Sequence, residues 1–254
     1  MIYCISDLHG RYDRYEKVLE KIQDTDELYV LGDCIDRGKD GLKILKDIKE
    51  RNNVHLLMGN HELLLLDALF PLYEGKATLD EVMDTDEYDL WMYNGGYPTI
   101  YAMEEEDCIL DTFRYLYNDI SLYKVVEVNG EKIYLGHASV LSNYKDFHGT
   151  SLSDYLTDKL PYKVMFHSLW DSPFKIGMNI QQYGFDKYVF GHKFVQQFGT
   201  DEMTVIEGNI YDIDGGCAIG PEYKNSVILL CLNTMQAEYI NADNEDMNVE
   251  SYRR

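Results

Sequence analysis

The chain has no apolar run long enough to cross a bilayer. Its longest, such as Val227–Leu232, fall well short of the roughly 18 to 20 residues a spanning helix needs, so a transmembrane helix is excluded and no membrane partner is expected. The N-terminus, Met1-Ile2-Tyr3-Cys4-Ile5-Ser6-Asp7, lacks a basic segment followed by an apolar stretch and a small-residue cleavage site, and a secretory signal is therefore not expected. Cysteine is sparse and never paired as CxxC: Cys4, Cys34, Cys108, Cys217 and Cys231 are odd in number and scattered. This argues against a disulfide framework and a zinc knuckle, and for reduced thiols in the cytoplasm. Between Ala77 and Phe113 there is no Lys or Arg, against eleven Asp or Glu. Long nucleic acids need many phosphate-neutralising cations, so they are excluded as the expected partner, and the acidic stretch reads first as a solvated face.

The 254 residues, 45% hydrophobic and 13% aromatic, suffice for a full core. Lys and Arg number 23 against 45 Asp and Glu, a formal net charge of -22. Short apolar strands at Ile2–Ser6, Leu28–Leu31 and Val54–Met58 alternate with helical periods over Asp13–Ile22 and Leu42–Ile48, a βαβαβ start that predicts an α/β layered domain. Glu62–Leu69 reads as an apolar helix opening an acidic, aromatic helical insertion over about residues 67–123. Strands follow at Val125–Val128 and Lys132–Leu135, joined by an Asn129-Gly130 turn, then at Lys187–Phe190, Thr204–Ile206, Ile210–Ile213 and Val227–Leu232. One domain over residues 1–240 and a polar tail over residues 241–254 are expected. The insertion's Tyr73, Tyr88, Trp91, Tyr93, Tyr97 and Tyr101 read as core packing ahead of a base-stacking cleft.

Chemistry gathers after the strands: Asp7-Leu8-His9-Gly10 after the first, Gly32-Asp33-Cys34-Ile35-Asp36-Arg37-Gly38 after the second and Gly59-Asn60-His61-Glu62 after the third. Two later apolar runs end in Gly136-His137 and Gly191-His192. Loops at the carboxyl ends of strands in an open α/β sheet converge on one crevice, so these five should meet. Mixed Asp, Asn and His ligation suits Mn²⁺, Fe or Zn²⁺. Two such ions sharing a carboxylate can activate water and clamp both oxygens of an in-line phosphoryl displacement. Cys34 is no nucleophile, because Asp33 and Asp36 beside it would raise its thiol pKa. His55, His148 and His167 lack this strand-end setting and read as surface or packing residues.

The motifs Asp-x-His-Gly, Gly-Asp-x-x-Asp-Arg-Gly and Gly-Asn-His-Glu, in that order and joined later by His137, Gly191-His192 and Asp212-Ile213-Asp214-Gly215-Gly216, resemble the phosphoprotein phosphatase family of calcineurin-like metallophosphoesterases, most of all its compact bacterial and phage serine/threonine phosphatases. The resemblance implies a four-layer α/β/β/α sandwich and two divalent ions, with Mn²⁺ expected and Fe or Zn²⁺ as alternatives. It implies that Asp7, His9 and bridging Asp33 hold the first ion, and that Asn60, His137 and His192 complete the second. His61 would protonate the leaving oxygen, Asp36 orient His61, Arg37 and Asn60 bind phosphate, and Glu62 support the ligands from behind.

The chain departs from the family pattern at three places. The second phosphate-binding arginine has no counterpart in Leu169–Lys175, where Lys175, or else Lys193, is the candidate substitute; Met58 stands for the arginine before Gly-Asn-His-Glu; and His137-Ala138-Ser139 replaces His-Gly-Gly. The expected activity is hydrolysis of phosphate monoesters by metal-hydroxide attack, on phosphoserine or phosphothreonine proteins and in a dual-specificity form on phosphotyrosine. The alternatives are a symmetrical diadenosine tetraphosphate hydrolase or other nucleotide phosphatase, and an inactive acidic binding scaffold. A scaffold would be expected to have lost a ligand, and all six are present.

Overall fold

The computed structural model describes residues 1–176, 179–219 and 224–241. Its strands are β1 (Ile2–Ile5), β2 (Glu27–Val30), β3 (Val54–Leu56), β4 (Lys124–Val128), β5 (Glu131–Leu135), β6 (Lys187–Phe190), β7 (Thr204–Ile206), β8 (Ile210–Asp212), β9 (Ser226–Cys231) and β10 (Gln236–Asn241). They form two mixed sheets, ordered β10-β9-β1-β2-β3 and β4-β5-β6-β8-β7. Strands β1, β2 and β3 run parallel, as do β5, β6 and β8, so each sheet carries three parallel strands whose carboxyl ends can serve one site.

Alternation along the strands explains the layers. Cys4, Tyr29, Leu31, Ile228 and Leu230 of the first sheet share one core with Ile133, Leu135, Val189 and Tyr211 of the second. Their neighbours Ile5, Leu28, Val30, Val227 and Leu229 point the other way, into a core built with helices. Those helices are α1 (Tyr12–Leu19), α2 (Gly41–Glu50), α3 (Asn60–Tyr73), α4 (Leu79–Met83), α5 (Asp86–Tyr93), α6 (Tyr97–Glu105) and α7 (Ile109–Asn118). Three more, α8 (Leu152–Thr157), α9 (Tyr162–Trp170) and α10 (Pro173–Ile176), lie between β5 and β6, where the sequence reading places no helix. Phe174 of α10 and Ile180 of a 3-10 turn pack on Tyr134, Tyr188 and Phe190 of the second sheet's outer face, a thin fourth layer.

The expected helix over Glu62–Leu69 begins earlier, at Asn60, and runs through Pro71. Leu63 to Leu66, Ala68 and Leu69 are all buried, which suits a helix covered on every side. Packing is the outcome for only half of the insertion's aromatics. Tyr88 and Trp91 are buried and Tyr73 stacks on Phe113 with ring centroids 4.4 Å apart, but Tyr93, Tyr97 and Tyr101 are exposed by 89%, 68% and 74%, because they lie on the outer sides of short helices whose other sides meet the core. β10 was not anticipated either: it is an edge strand of mostly exposed polar residues, the usual protection of a sheet edge. Of the polar tail, only Asn241 lies within the described residues.

Ile228 is fully buried between the sheets. Ile228→Ala is expected to cost about 2 to 5 kcal/mol in urea unfolding, whereas Tyr93→Ala should stay within about 0.5 kcal/mol of wild type; equal losses would contradict the assignment of layers.

Candidate active site

The loops after β1 and β2 are knitted by backbone bonds, His9 N to Asp33 O and Gly10 N to Cys34 O at 2.9 Å and Gly38 N to His9 O at 3.0 Å. Within the second sheet, Gly191 N, just after β6, donates to His137 O, just after β5, at 2.7 Å. A Cβ at Gly191 would fall 2.3 Å from Asp7 Oδ2, so only glycine lets this loop approach the first. Asp7, His9, Asp33, Asp36, Arg37 and His192 all adopt left-handed backbone, with φ between 44° and 71°. That region costs most non-glycine residues free energy and persists where surrounding structure imposes it, commonly at active sites.

Glu62 imposes much of it. Fully buried, its carboxylate accepts from the amides of Asp33 at 2.8 Å, Cys34 at 2.9 Å and Gly59 at 2.9 Å, tying the second loop to the third. This is the support that the sequence placed behind His61, by a bonding pattern the sequence did not disclose.

Asp33 lies at the centre. Its Oδ1 is 3.5 Å from His137 Nε2 and its Oδ2 is 3.7 Å from His9 Nε2 and 3.9 Å from His61 Nε2. Two groups of potential metal-binding atoms, His9–Asp33–His61 and Asp33–His137–His192, therefore share it. Asp7 Oδ1 is 3.9 Å from His9 Nε2, while Asp7 Oδ2 accepts from Ser6 Oγ and from His192 N. The tautomers fit cations. Nδ1 of His9 meets the Ile35 carbonyl at 3.2 Å and Nδ1 of His137 meets the Leu31 carbonyl at 2.8 Å, which leaves each Nε2 as a lone-pair donor. Nε2 of His137 then faces two acceptors, Asn60 Oδ1 at 2.8 Å and Asp33 Oδ1, and Nε2 of His192 is buried without a partner. Acceptors turned upon one another and an orphaned ring nitrogen are what a bound cation satisfies, and the donor set is right for a borderline or hard divalent ion.

Electrostatics agree. Burial, with the Arg37 charge, holds His9 well below the ordinary imidazole range, and burial with His137 does the same to His192; this favours the neutral imidazole that could ligate an ion. Burial raises Asp33 well above the usual carboxylate range, His61 opposing and Asp7 adding to it; Asp212 and Asp214 are likewise raised by burial and by neighbouring carboxylates. These acids are short of positive charge. His61 differs: burial lowers it, but Asp33 and Asp36 outweigh burial and raise it. Its Nδ1 lies 2.8 Å from Asp36 Oδ2 and its Nε2 3.1 Å from Arg37 Nη2.

A cleft of about 240 Å³ opens over this centre, lined by Asp7, His9, Asp33, Arg37, Asn60, His61 and His192 together with Asn94, Trp170, Lys193, Phe194 and Asp214. His137 and Asp36 are buried behind it. Lys193 is thus at the cleft, while the Lys175 side chain lies outside the described residues. Sequence reasoning missed Asn94, which no motif marks, and gave Asp214 no role although it quoted its segment. Cys34 has its thiol raised by burial and by Glu62, consistent with no nucleophilic part. His55, His148 and His167 stand beside Glu27, Asp158 and Asp171, away from the site.

Because Glu62 orients the ligand loops, Glu62→Gln is expected to weaken Mn²⁺ binding by roughly 10- to 100-fold in calorimetric titration; unchanged affinity would contradict that role.

A profile of the calcineurin-like phosphoesterase family matches residues 1–196. The symmetrical bis(5'-nucleosyl)-tetraphosphatases of Erwinia tasmaniensis and Salmonella paratyphi C are 32% and 33% identical to the chain over 117 residues, 42% of this chain and 42% and 41% of theirs, so the match spans less than half the length of these curated relatives. Among solved structures, a metallophosphoesterase from Sphaerobacter thermophilus (TM-score 0.54, 12% identity, 95% of this chain and 88% of that one) and a cold-active protein-tyrosine phosphatase from a psychrophilic Shewanella (TM-score 0.52, 17% identity, 94% and 80%) share the fold. With a match over three quarters of its length and the family's ligand types converging on one carboxylate, the chain belongs to the calcineurin-like phosphoesterases.

Proposed function

We propose that this phosphoesterase cleaves phosphate monoesters, and that its substrates are phosphoserine and phosphothreonine side chains of cytoplasmic proteins, with phosphotyrosine as a secondary substrate. The observation that carries the reading is the Asp36–His61–Arg37 array beside Asp33. Asp36 holds one ring nitrogen of His61, and the other meets the Arg37 guanidinium, so an acid and a phosphate-binding fork converge on one point. A raised imidazole can stay protonated to serve the departing oxygen, and a guanidinium pairs bidentately with phosphoryl oxygens. Asp7, His9 and Asp33 would hold one ion, and Asp33, Asn60, His137 and His192 the other. When bound, two Mn²⁺ ions supply Lewis-acid charge and a water made nucleophilic near neutral pH. Lys193, lining the cleft, takes the place of the family's second arginine as a point charge, and Asn60 also reaches the substrate. The cleft's modest volume suits a phosphoryl group whose carrier remains outside.

A second reading, hydrolysis of dinucleoside tetraphosphates, draws on the names of the relatives and on Trp170 and Phe194 beside the cleft, where bases could stack. Against it stands the complete Asp36-Arg37 and His61-Glu62 set, which resembles protein phosphatases more. An inactive scaffold is disfavoured by a full ligand set meeting in one place.

Mn²⁺-loaded enzyme is expected to release phosphate from a phosphoserine peptide faster than it cleaves diadenosine tetraphosphate, and Asp33→Asn should abolish both. Preference for the dinucleotide would move the protein to the second reading, and wild-type rates in Asp33→Asn would sink the metal assignment.

A further inference from the structure

The acidic insertion reaches into the site. Asp36 is fully buried, and both of its carboxylate oxygens are occupied. Oδ2 accepts from His61 Nδ1 at 2.8 Å and from the indole Nε1 of Trp91 at 3.0 Å, and Oδ1 accepts from the Thr99 hydroxyl at 2.6 Å. The Thr99 oxygen accepts in turn from the Asp36 amide at 3.0 Å. The next amide, Arg37 N, donates to the Gly95 carbonyl at 2.9 Å. Trp91 belongs to α5, Thr99 to α6, and Gly95 to the turn between them.

These contacts fall on the most strained stretch of the site. Asp36 and Arg37 are consecutive left-handed residues, φ 68° and 62°, and the insertion takes hold of both their amides. Gly95 is itself left-handed at φ 106°, and a Cβ there would stand 2.9 Å from Arg37 Cγ, so the turn presses against the arginine as closely as a glycine allows. Packing alone would call for apolar shape at Trp91 and Thr99; what the structure has is donors aimed at separate oxygens of one carboxylate, which replace the solvent that burial removes.

We propose that Trp91 and Thr99 are positioning residues of the hydrolysis: through Asp36 they fix the His61 ring, and through the adjoining turn the insertion fixes Arg37, so that the acid is set only when this helix pair is docked. The inference rests on the reading of His61 as leaving-group acid. Because a ring displaced by a fraction of an ångström meets the departing oxygen poorly, the loss belongs in kcat and only where His61 acts.

The test is a set of double-mutant cycles on the full chain loaded with Mn²⁺, with phenyl phosphate, a poor leaving group, as the probe. Trp91→Phe keeps an aromatic ring without the N–H, Thr99→Val keeps the shape without the hydroxyl, and Thr99→Ser restores the hydroxyl. Trp91→Phe and Thr99→Val are each expected to lower kcat by roughly 10- to 100-fold with KM within about threefold. Thr99→Ser should recover most of the loss, and neither Trp91→Phe nor Thr99→Val should lower kcat further in a His61→Asn background. Proportional losses in that background, or Thr99→Ser as impaired as Thr99→Val, would overturn the proposal. A His61→Asn enzyme with wild-type kcat would instead overturn the acid assignment, which separates the two failures. If Trp91→Phe does not fold, the Thr99 pair decides alone.

Discussion

The carboxylate of Glu62, buried and accepting three amides from two loops, is the interaction on which the site depends. It holds the amide of Asp33, and Asp33 is the residue both groups of ligand atoms share. Left-handed backbone at Asp7, His9, Asp33, Asp36, Arg37 and His192 would relax if each loop stood alone. The bonds between loops, from Glu62, from the knitted amides after β1 and β2, and from Trp91 and Thr99 on Asp36, keep six strained residues in place together.

Gathering carboxylates out of water has a cost that the fold leaves open. Asp7, Asp33, Asp36, Glu62, Asp212 and Asp214 are all at most 5% exposed, and neutral histidines stand among them. Hydrogen bonds satisfy Glu62 and Asp36, whose task is to hold other groups. Asp33 is different: beyond the one bond Oδ1 accepts from the His61 amide at 2.9 Å, its oxygens face the His137 and His9 ring nitrogens that have lone pairs to give, a setting that a cation would satisfy. The buried acids are thus of two kinds, those whose oxygens hold the frame and one, Asp33, shared by two groups of atoms that could hold an ion. On a chain of net charge -22, Arg37 and Lys193 are the arginine and lysine among the described residues that line the cleft.

Much of this was legible in the sequence because strands and their following loops are local. The short apolar runs gave nearly every strand within a residue or two, and the Gly-Asp, Gly-Asn and Gly-His pairs at their ends named residues that the fold brings close to Asp33. What escaped has a physical reason in each case. β10 carries polar residues because it is an edge. Tyr93, Tyr97 and Tyr101 could not be told from Tyr88 and Trp91 while the faces of their short helices were unknown. Trp91 and Thr99 lie 55 and 63 positions from Asp36, and no local pattern announces a contact made across an insertion. Glu62 reads in the sequence as a support, but its three acceptor bonds exist only once two loops have met.

The central claim is that one carboxylate, Asp33, is shared by two ions. It is tested most directly by diffraction at the manganese edge from crystals of the Mn²⁺-loaded protein. The account predicts two anomalous peaks about 3.5 to 4 Å apart, one on each side of Asp33, with His9 at one and His137 and His192 at the other. A single peak, or a pair that does not share Asp33, would contradict it.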